Sequence, residues 1–417
     1  MAAPRRRLYH CSAAIRPDGG MTRSAWIVVL AAALSVSLAL GIRQTFGLFL
    51  LPLGAEHGIT ATAFGLSVAI HNLLWGIGQP ITGAMADKYG AGRVALAGAG
   101  FYAAGLLLIA AYPSALTLFL GIGILTGIGV ACAGSGTVLS AVARAVPPEQ
   151  RGNALGLASA GGSFGQAAMV PLAMSGIGAY GTQIALVMLA STLVLALFIA
   201  PKLEWRRGTP LGAAPVGLSG LPDLARRTLA NKGFALLTTG FFACGFQLAF
   251  LTAHLPAHLS LCGLPASLGA TTLMLVGLFN IPGSWLCGRL ANTVQPEKAL
   301  GVIYLIRTVA IALFASTVPT EWGAMVFASV MGFVWLGTIP LTSAAIARRF
   351  GVADLGALYG LCFFSHQVGG FLGAGVGAVL VDVNGNYDAF WPVMVLVGLA
   401  AVAVNWAVRA PARVATA

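Results

Sequence analysis

The chain has 417 residues, of which 58% are hydrophobic and 8% charged, and 55 are glycine. So few charges cannot coat a water-soluble globule of this size, so lipid must serve as solvent for much of the chain. The formal net charge of +12 would suggest a nucleic-acid partner in a soluble protein, and the placement of the charges decides against that reading.

The first twenty residues, "MAAPRRRLYHCSAAIRPDGG", are polar, basic and unpatterned, and a second methionine, Met21, stands directly before the first apolar run. They read as a tail or as a misassigned start; the run that follows continues to Leu53, past signal-peptide length. Twelve apolar segments then follow, near 25–53, 61–85, 93–112, 115–141, 153–174, 182–201, 234–254, 267–291, 299–318, 322–346, 356–380 and 390–409. We refer to them as spans one to twelve. Each is close to the ~20 residues a helix needs to cross ~30 Å of hydrocarbon. They lack the apolar-polar alternation of a membrane barrel. The expected organisation is a tail at 1–24, six spans at 25–201, a Pro-, Gly-, Arg- and Lys-rich central loop at 202–233, six more spans at 234–409, and a tail at 410–417.

With the amino terminus in the cytoplasm, 21 of the 23 Lys and Arg fall in the tails and in the loops on that same side. This is the positive-inside pattern, so the basic balance reports topology and both termini are expected in the cytoplasm. Arg43 in span one and Arg307 in span nine are left inside the bilayer. All eleven Asp and Glu can be placed in tails, loops or span edges, so Arg43 has no evident carboxylate partner. The six cysteines have no metal-like spacing and read as small packing residues, and no cofactor is implied. The sparse acids also leave little from which to build a membrane-embedded enzyme.

Shifting the sequence by about 204 residues brings "GIRQTFGLFLLP" (41–52) onto "GFQLAFLTAHLP" (245–256), and "RGNALGLASAGGSFG" (151–165) onto "LGALYGLCFFSHQVG" (355–369). Arg43 thereby pairs with Gln247, and Gly165 with Gly369. An even number of spans separates the copies, so the repeat is parallel. Two six-helix bundles of this kind describe a transporter with its substrate site between the halves and alternating access by rocking. Glycines in "GIGILTGIG" and "GGFLGAGVG" let helices approach closely.

The loop after span two, "GAMADKYGAGRV", resembles the major facilitator signature G-x-x-x-D-[RK]-x-G-x-[RK]-[RK] through Gly83, Asp87, Lys88, Gly90 and Arg93, with Gly92 in a usually basic place. The resemblance implies an all-α polytopic fold of twelve transmembrane helices in two six-helix bundles, with this loop as a cytoplasmic gate. The second copy, "GRLANTVQ", keeps Gly288 but has Asn292 for the aspartate. Within that superfamily, residues 25–409 most resemble the bacterial relatives of monocarboxylate transporters and oxalate-formate antiporters, through "GIRQTFGLFL", "HNLLWGIGQPITGAMADKYG" and "LYGLCFFSHQVGGFLGAGVG". In monocarboxylate transporters a lysine commonly occupies the place of Arg43. Their Asp and Arg, four residues apart in span eight, are replaced here by Asn280 and Ser284.

An arginine at the bilayer centre costs ~2.5–3.5 kcal/mol on the mild insertion scale, so it normally faces a wet cavity or a partner. Its planar fork suits a carboxylate, and Arg43 is the expected substrate-binding residue. Arg307, on a span that the resemblance makes peripheral, is expected to be structural. His71 and Asn72 in span two, and His366 and Gln367 in span eleven, are further candidates. His71 and His366 could carry a coupled proton, with His254 a weaker candidate and the substrate's own proton an alternative. Gln247 could bond the far end of a substrate, Asn280 adds a polar group, and Trp335 could wall the cavity. The expected function is secondary transport of a small organic anion, most simply a monocarboxylate, by proton symport or anion exchange. The partners are then the anion, protons and the lipid bilayer, with no nucleic acid. One chain supplies both halves, so a monomer suffices, and the high Gly and Ala content with compact loops points to a bacterial inner membrane. Export of neutral or amphiphilic drugs on the same fold is the alternative.

Overall fold

The computed structural model describes residues 21–147, 150–203, 221–351 and 355–409. The expectations for the amino-terminal tail to residue 20, for loop residues 204–220 and for the tail from 410 lie outside these. Among the described residues the secondary structure is helical. Eleven helical segments are long and apolar enough to cross a membrane. The remaining expected span, the fifth, is the 30-residue helix Arg151–Tyr180, whose Gly, Ser and Gln content lowers its hydropathy relative to the others.

Local chemistry sets the helix ends. Span two, Ala61–Tyr89, starts where the Thr60 hydroxyl accepts the Ala63 amide at 3.1 Å. It stops at Gly90, whose φ of +95° is one that side-chain-bearing residues rarely adopt. Span one, Arg23–Gln44, passes through a 3₁₀ turn, Phe46–Phe49, into Leu50–His57. Span four is the most irregular. It runs from Ala115–Leu118 through a π-helical stretch, Phe119–Thr126, to Gly127–Ala133, and breaks at Gly134 before resuming as Ser135–Ala145. Span ten breaks at the corresponding place, between Glu321–Phe333 and Thr338–Phe350.

The sequence repeat reappears as repeated packing. A methyl group on Gly41 of span one would meet the Gly165 carbonyl of span five at 2.5 Å, and one on Gly165 would meet Ser37 O. In the second half Gly245 of span seven stands against His366 O of span eleven, Leu355–Asn384, and Gly369 against Phe242 O. Glycine is required at all four places because backbone lies where a side chain would go.

The two halves meet at mid-depth and toward the face opposite the basic loops, here termed the far face. Gly47 packs on the Thr252 and Ala253 carbonyls, and Gly65 on Ala374 and Ala378. Gln44 Nε2 donates to Leu273 O at 3.3 Å. The amides of Ala61 and Thr62 donate to the Asp382 carboxylate at 3.1 and 2.6 Å, so an acid on span eleven caps the start of span two. Toward the basic-loop face, methyl groups built on Gly83, Gly152, Gly156, Gly288, Gly356 and Gly360 would meet nothing within 4 Å. The contacts between the halves named above lie at mid-depth and toward the far face.

Candidate functional site

Span one delivers Arg43 one turn before its 3₁₀ segment, at the depth where the halves meet. Its Nη2 donates to Asn72 Oδ1 at 2.9 Å, and its Cζ lies 5.3 Å from the centre of the Trp75 ring. Asn72 is held by its own Nδ2, which donates to Val68 O at 3.0 Å. Arg43 Nε is buried without a partner, and among the described residues no carboxylate lies within ion-pair distance of Arg43. The guanidinium therefore keeps its charge and part of its donor set unspent.

His71 is fully buried beside this group, edge-on to Phe46 with ring centres 5.4 Å apart. Its Nδ1 lies 2.9 Å from Thr126 Oγ1 and 3.3 Å from Ile122 O. The Thr126 hydroxyl itself donates to Ile122 O at 2.6 Å, which leaves Thr126 Oγ1 as an acceptor toward His71. This pattern assigns the proton to Nδ1. Nε2 is then a bare, buried acceptor with no partner. The π-helical stretch of span four presents both anchoring oxygens, in keeping with the frequent placement of such stretches at functional sites.

Span eleven closes the group from the other half. Gly76 is so near that its methyl would sit 2.8 Å from Gln367 Cβ, and Gly370 packs on Asn72. Gln367 is fully buried with neither end of its amide bonded. Phe363 meets Trp75 edge-on at 5.2 Å. Arg43, His71, Asn72 and Gln367 are thus brought together, with Phe46, Trp75 and Phe363 around them.

Of the other four expected site residues, Gln247, Asn280 and Trp335 lie elsewhere, and His366 stands at the edge of the group, stacked on Phe363. Gln247 turns toward span twelve and donates to Met394 O at 3.3 Å, away from Arg43. The repeat preserves backbone place, but span twelve sets where this side chain points. Asn280 joins the halves: its Nδ2 donates to Ser163 Oγ at 2.8 Å, and its Oδ1 accepts from Leu336 N at 3.0 Å and Ser284 Oγ at 2.9 Å. Trp335 is 2% exposed, and its carbonyl accepts from Arg307, so it is packed inside the second half. His366 stacks on Phe363 and faces Gly245 of span seven, with Nδ1 unbonded. His254 is bonded at both nitrogens, to Tyr387 Oη at 3.1 Å and Ala374 O at 2.8 Å.

Arg307 has the structural setting expected of it. It is fully buried, and Nε and Nη2 donate to Val334 O at 3.1 and 2.6 Å, Nη2 also to Trp335 O, and Nη1 to Cys244 Sγ at 3.3 Å. These carbonyls end the first half of span ten, where a cation complements the helix dipole. In the loop after span two, Asp87 pairs with Arg144 at 2.7 Å. That bond ties span two to the end of span four inside one half. Lys88 lies over the Tyr89 ring, and Gly90 supplies the turn. Sequence reasoning missed Trp75 and Phe363, whose aromatic character reads as ordinary packing in an apolar span, and Arg144 as the partner of Asp87.

The family model for the Major Facilitator Superfamily matches residues 26–374. The chain belongs to the major facilitator superfamily. It is 26% identical over 407 residues to the uncharacterized MFS-type transporter YcxA of Bacillus subtilis (strain 168), covering 91% of this chain and 94% of that one. Monocarboxylate transporter 13 of Bos taurus is 27% identical over 382 residues, covering 89% and 86%. The oxalate:formate antiporter of Oxalobacter formigenes is 23% identical over 390 residues, covering 89% and 88%. Among solved structures, a bacterial homolog of the human lysosomal transporter Spinster, in an inward-facing and unoccupied conformation, matches with a TM-score of 0.68 at 16% identity, over 93% of this chain and 95% of that one. The protein is therefore a multi-pass membrane transporter of this superfamily with a small-molecule substrate, and not an enzyme.

Proposed function

We propose that this transporter moves a small organic monocarboxylate by alternating access, with Arg43 holding the carboxylate. The observation that carries the reading is the Arg43 guanidinium, set between the halves with an unspent donor and, among the described residues, no acid in reach. Among the described residues of the spans, Arg43 is the one arginine left available, since Arg307 is committed to backbone carbonyls, and this favours a monoanion over a dicarboxylate. Two of the relatives are named for carboxylate transport, which supports the same class. Gln367 supplies a further uncommitted amide, and Phe46, Trp75 and Phe363 suit an apolar body behind the carboxylate. His71 Nε2 is the proton acceptor that would couple uptake to a pH gradient.

In this reading the membrane is a bacterial inner membrane, and the basic-loop face is cytoplasmic with both termini on that side, which the positive-inside pattern supports. The far face, where the halves meet, is then the outer one. The functional unit is a single chain with a six-span bundle at 25–201 and another at 234–409.

Uptake of labelled formate, acetate, lactate and benzoate into proteoliposomes, with and without an imposed pH gradient, tests the reading. Arg43→Ala should reduce uptake at least tenfold, because a charge-assisted bond is worth about 1.5–3 kcal/mol. His71→Gln should flatten the dependence on the gradient while uptake by exchange continues. A folded Arg43→Ala protein that transports normally would show that the carboxylate binds elsewhere. Gradient dependence unchanged in His71→Gln would remove the histidine from coupling.

A further inference from the structure

The donors of Arg307 end on three acceptors, and only one of these can change its chemistry. Two are the Val334 and Trp335 carbonyls, and the third is Cys244 Sγ on span seven, which Nη1 reaches at 3.3 Å. Cys244 and Arg307 are both fully buried, and among the described residues no carboxylate lies within ion-pair distance of Arg307. The sulfur is therefore the one ionisable group that its donors reach. A buried charge is costly unless paired, so the pairing favours the thiolate, the form in which cysteine is a nucleophile.

The other groups around the sulfur can all donate to it. The Thr338 hydroxyl, at the start of the helix Thr338–Phe350, lies 3.4 Å away. The Tyr304 hydroxyl and the His366 ring stand beside it from spans nine and eleven. The Tyr304 ring also lies under the guanidinium, with Arg307 Cζ 5.6 Å from its centre. Tyr304 Oη is buried without a partner, and so is His366 Nδ1, which lies 3.0 Å from where a methyl on Gly245, the residue after Cys244, would be. Tyr304 is 1% exposed and His366 9%. Spans nine, ten and eleven thus converge on one sulfur of span seven, and two of the converging groups have hydrogen-bonding capacity left over.

Among the described cysteines, Cys244 alone takes a hydrogen bond from a guanidinium. Cys362, also buried, meets the neutral Thr238 hydroxyl at 3.1 Å and fits the packing role that the sequence suggests for it. His366, the least buried of the groups at Cys244, stacks on Phe363 at the edge of the cluster around Arg43. The sulfur therefore lies one side chain behind that cluster.

Unspent donors around a thiolate fit an oxygen that the sulfur has yet to gain. We propose that Cys244 is an oxidation site, at which the thiolate takes one oxygen from a small hydroperoxide and the resulting sulfenate is held by Arg307, Tyr304 and His366. A sulfur lone pair attacks the near peroxide oxygen, and the S–O bond forms as the O–O bond breaks. Sulfur loses two electrons and the peroxide gains them. With hydrogen peroxide the leaving hydroxide takes the hydrogen of the new sulfenic acid, so the products are water and a sulfenate whose charge stays paired with Arg307. Neither Arg43 nor a substrate enters this chemistry, so the monocarboxylate reading and the oxidation of Cys244 stand or fall separately.

The experiment treats the full chain in nanodiscs with hydrogen peroxide, quenches with catalase, and unfolds the protein in dimedone and N-ethylmaleimide together. Mass spectrometry then reads each cysteine as sulfenylated or free. Cys244 should carry about tenfold more dimedone than Cys262, which is exposed but has no guanidinium beside it. Arg307→Gln should lower the Cys244 yield about tenfold. Where that variant fails to fold, Tyr304→Phe decides. It keeps the ring under Arg307 and removes a hydroxyl that has no partner in the reduced protein, so the melting temperature should hold. The Cys244 yield should meanwhile fall about fivefold, the worth of one hydrogen bond to the added oxygen. A Cys244 that stays free while Cys262 reacts overturns the proposal. So does a parental Cys244 yield in folded Arg307→Gln or in Tyr304→Phe.

Discussion

Arg43 and Arg307 are the two cations that the charge pattern leaves inside the bilayer, and their hydrogen bonds give them different work. Arg43 has one amide oxygen and an aromatic face, whereas Arg307 spreads its donors over Val334 O, Trp335 O and Cys244 Sγ. Arg307→Gln should therefore strip the broken end of span ten of its donors at a cost of about 3 kcal/mol. We expect a lower melting temperature, with monocarboxylate affinity in the surviving folded protein within twofold of the parent. A large loss of affinity at unchanged melting temperature would make Arg307 the substrate residue instead. Both arginines, and the lack of an acid for Arg43, were legible from counting charges along twelve spans. The pointing of Gln247 was not, because Met394 and its neighbours on span twelve set it, and nothing in the spacing of the repeat reports a side-chain direction.

At the scale of helices, the repeat could be read from glycine positions because backbone contact leaves room for no other residue. Gly165 and Gly156 lie on the same helix but differ in what they face: Ser37 backbone for one, nothing within 4 Å for the other. Gly165→Ala should force spans one and five apart and cost about 1–3 kcal/mol. Gly156→Ala should leave stability unchanged or raise it by up to about 1 kcal/mol, through helix propensity. Thermal unfolding of the two variants checks this, and equal shifts would mean that the crossing of spans one and five is not what holds Gly165. The irregularity of span four was hidden by the same residues. In "GIGILTGIGVACAGSG" the glycines suit close packing, a π-helical stretch and a break equally well, and only the surroundings of His71 and Trp75 distinguish these.

For the whole molecule, alternating access requires that some contacts exist only while the far face is closed. The Asp382 cap on span two is such a contact, since donor and acceptor belong to different halves. It acts as an ordinary helix cap, so its removal should cost the closed far face about 1 kcal/mol, roughly a fivefold shift in the balance between the two states. The neighbouring glycine contacts, Gly47 on Thr252 and Gly65 on Ala378, remain in place and keep the shift partial. In Asp382→Ala, amide deuterium uptake should rise at 61–70 and 375–384 on the far face. It should fall at 152–160 and 355–363, because the halves that part at one face approach at the other. A rise on the far face alone would indicate local fraying of the span-two helix end, and no change at either face would mean that the cap does not hold the halves together. Coupled change of opposite sign at the two faces is the signature of a rocking transporter, and the glycines at 152, 156, 356 and 360, with open space beside them, lie in the segments where that change is read.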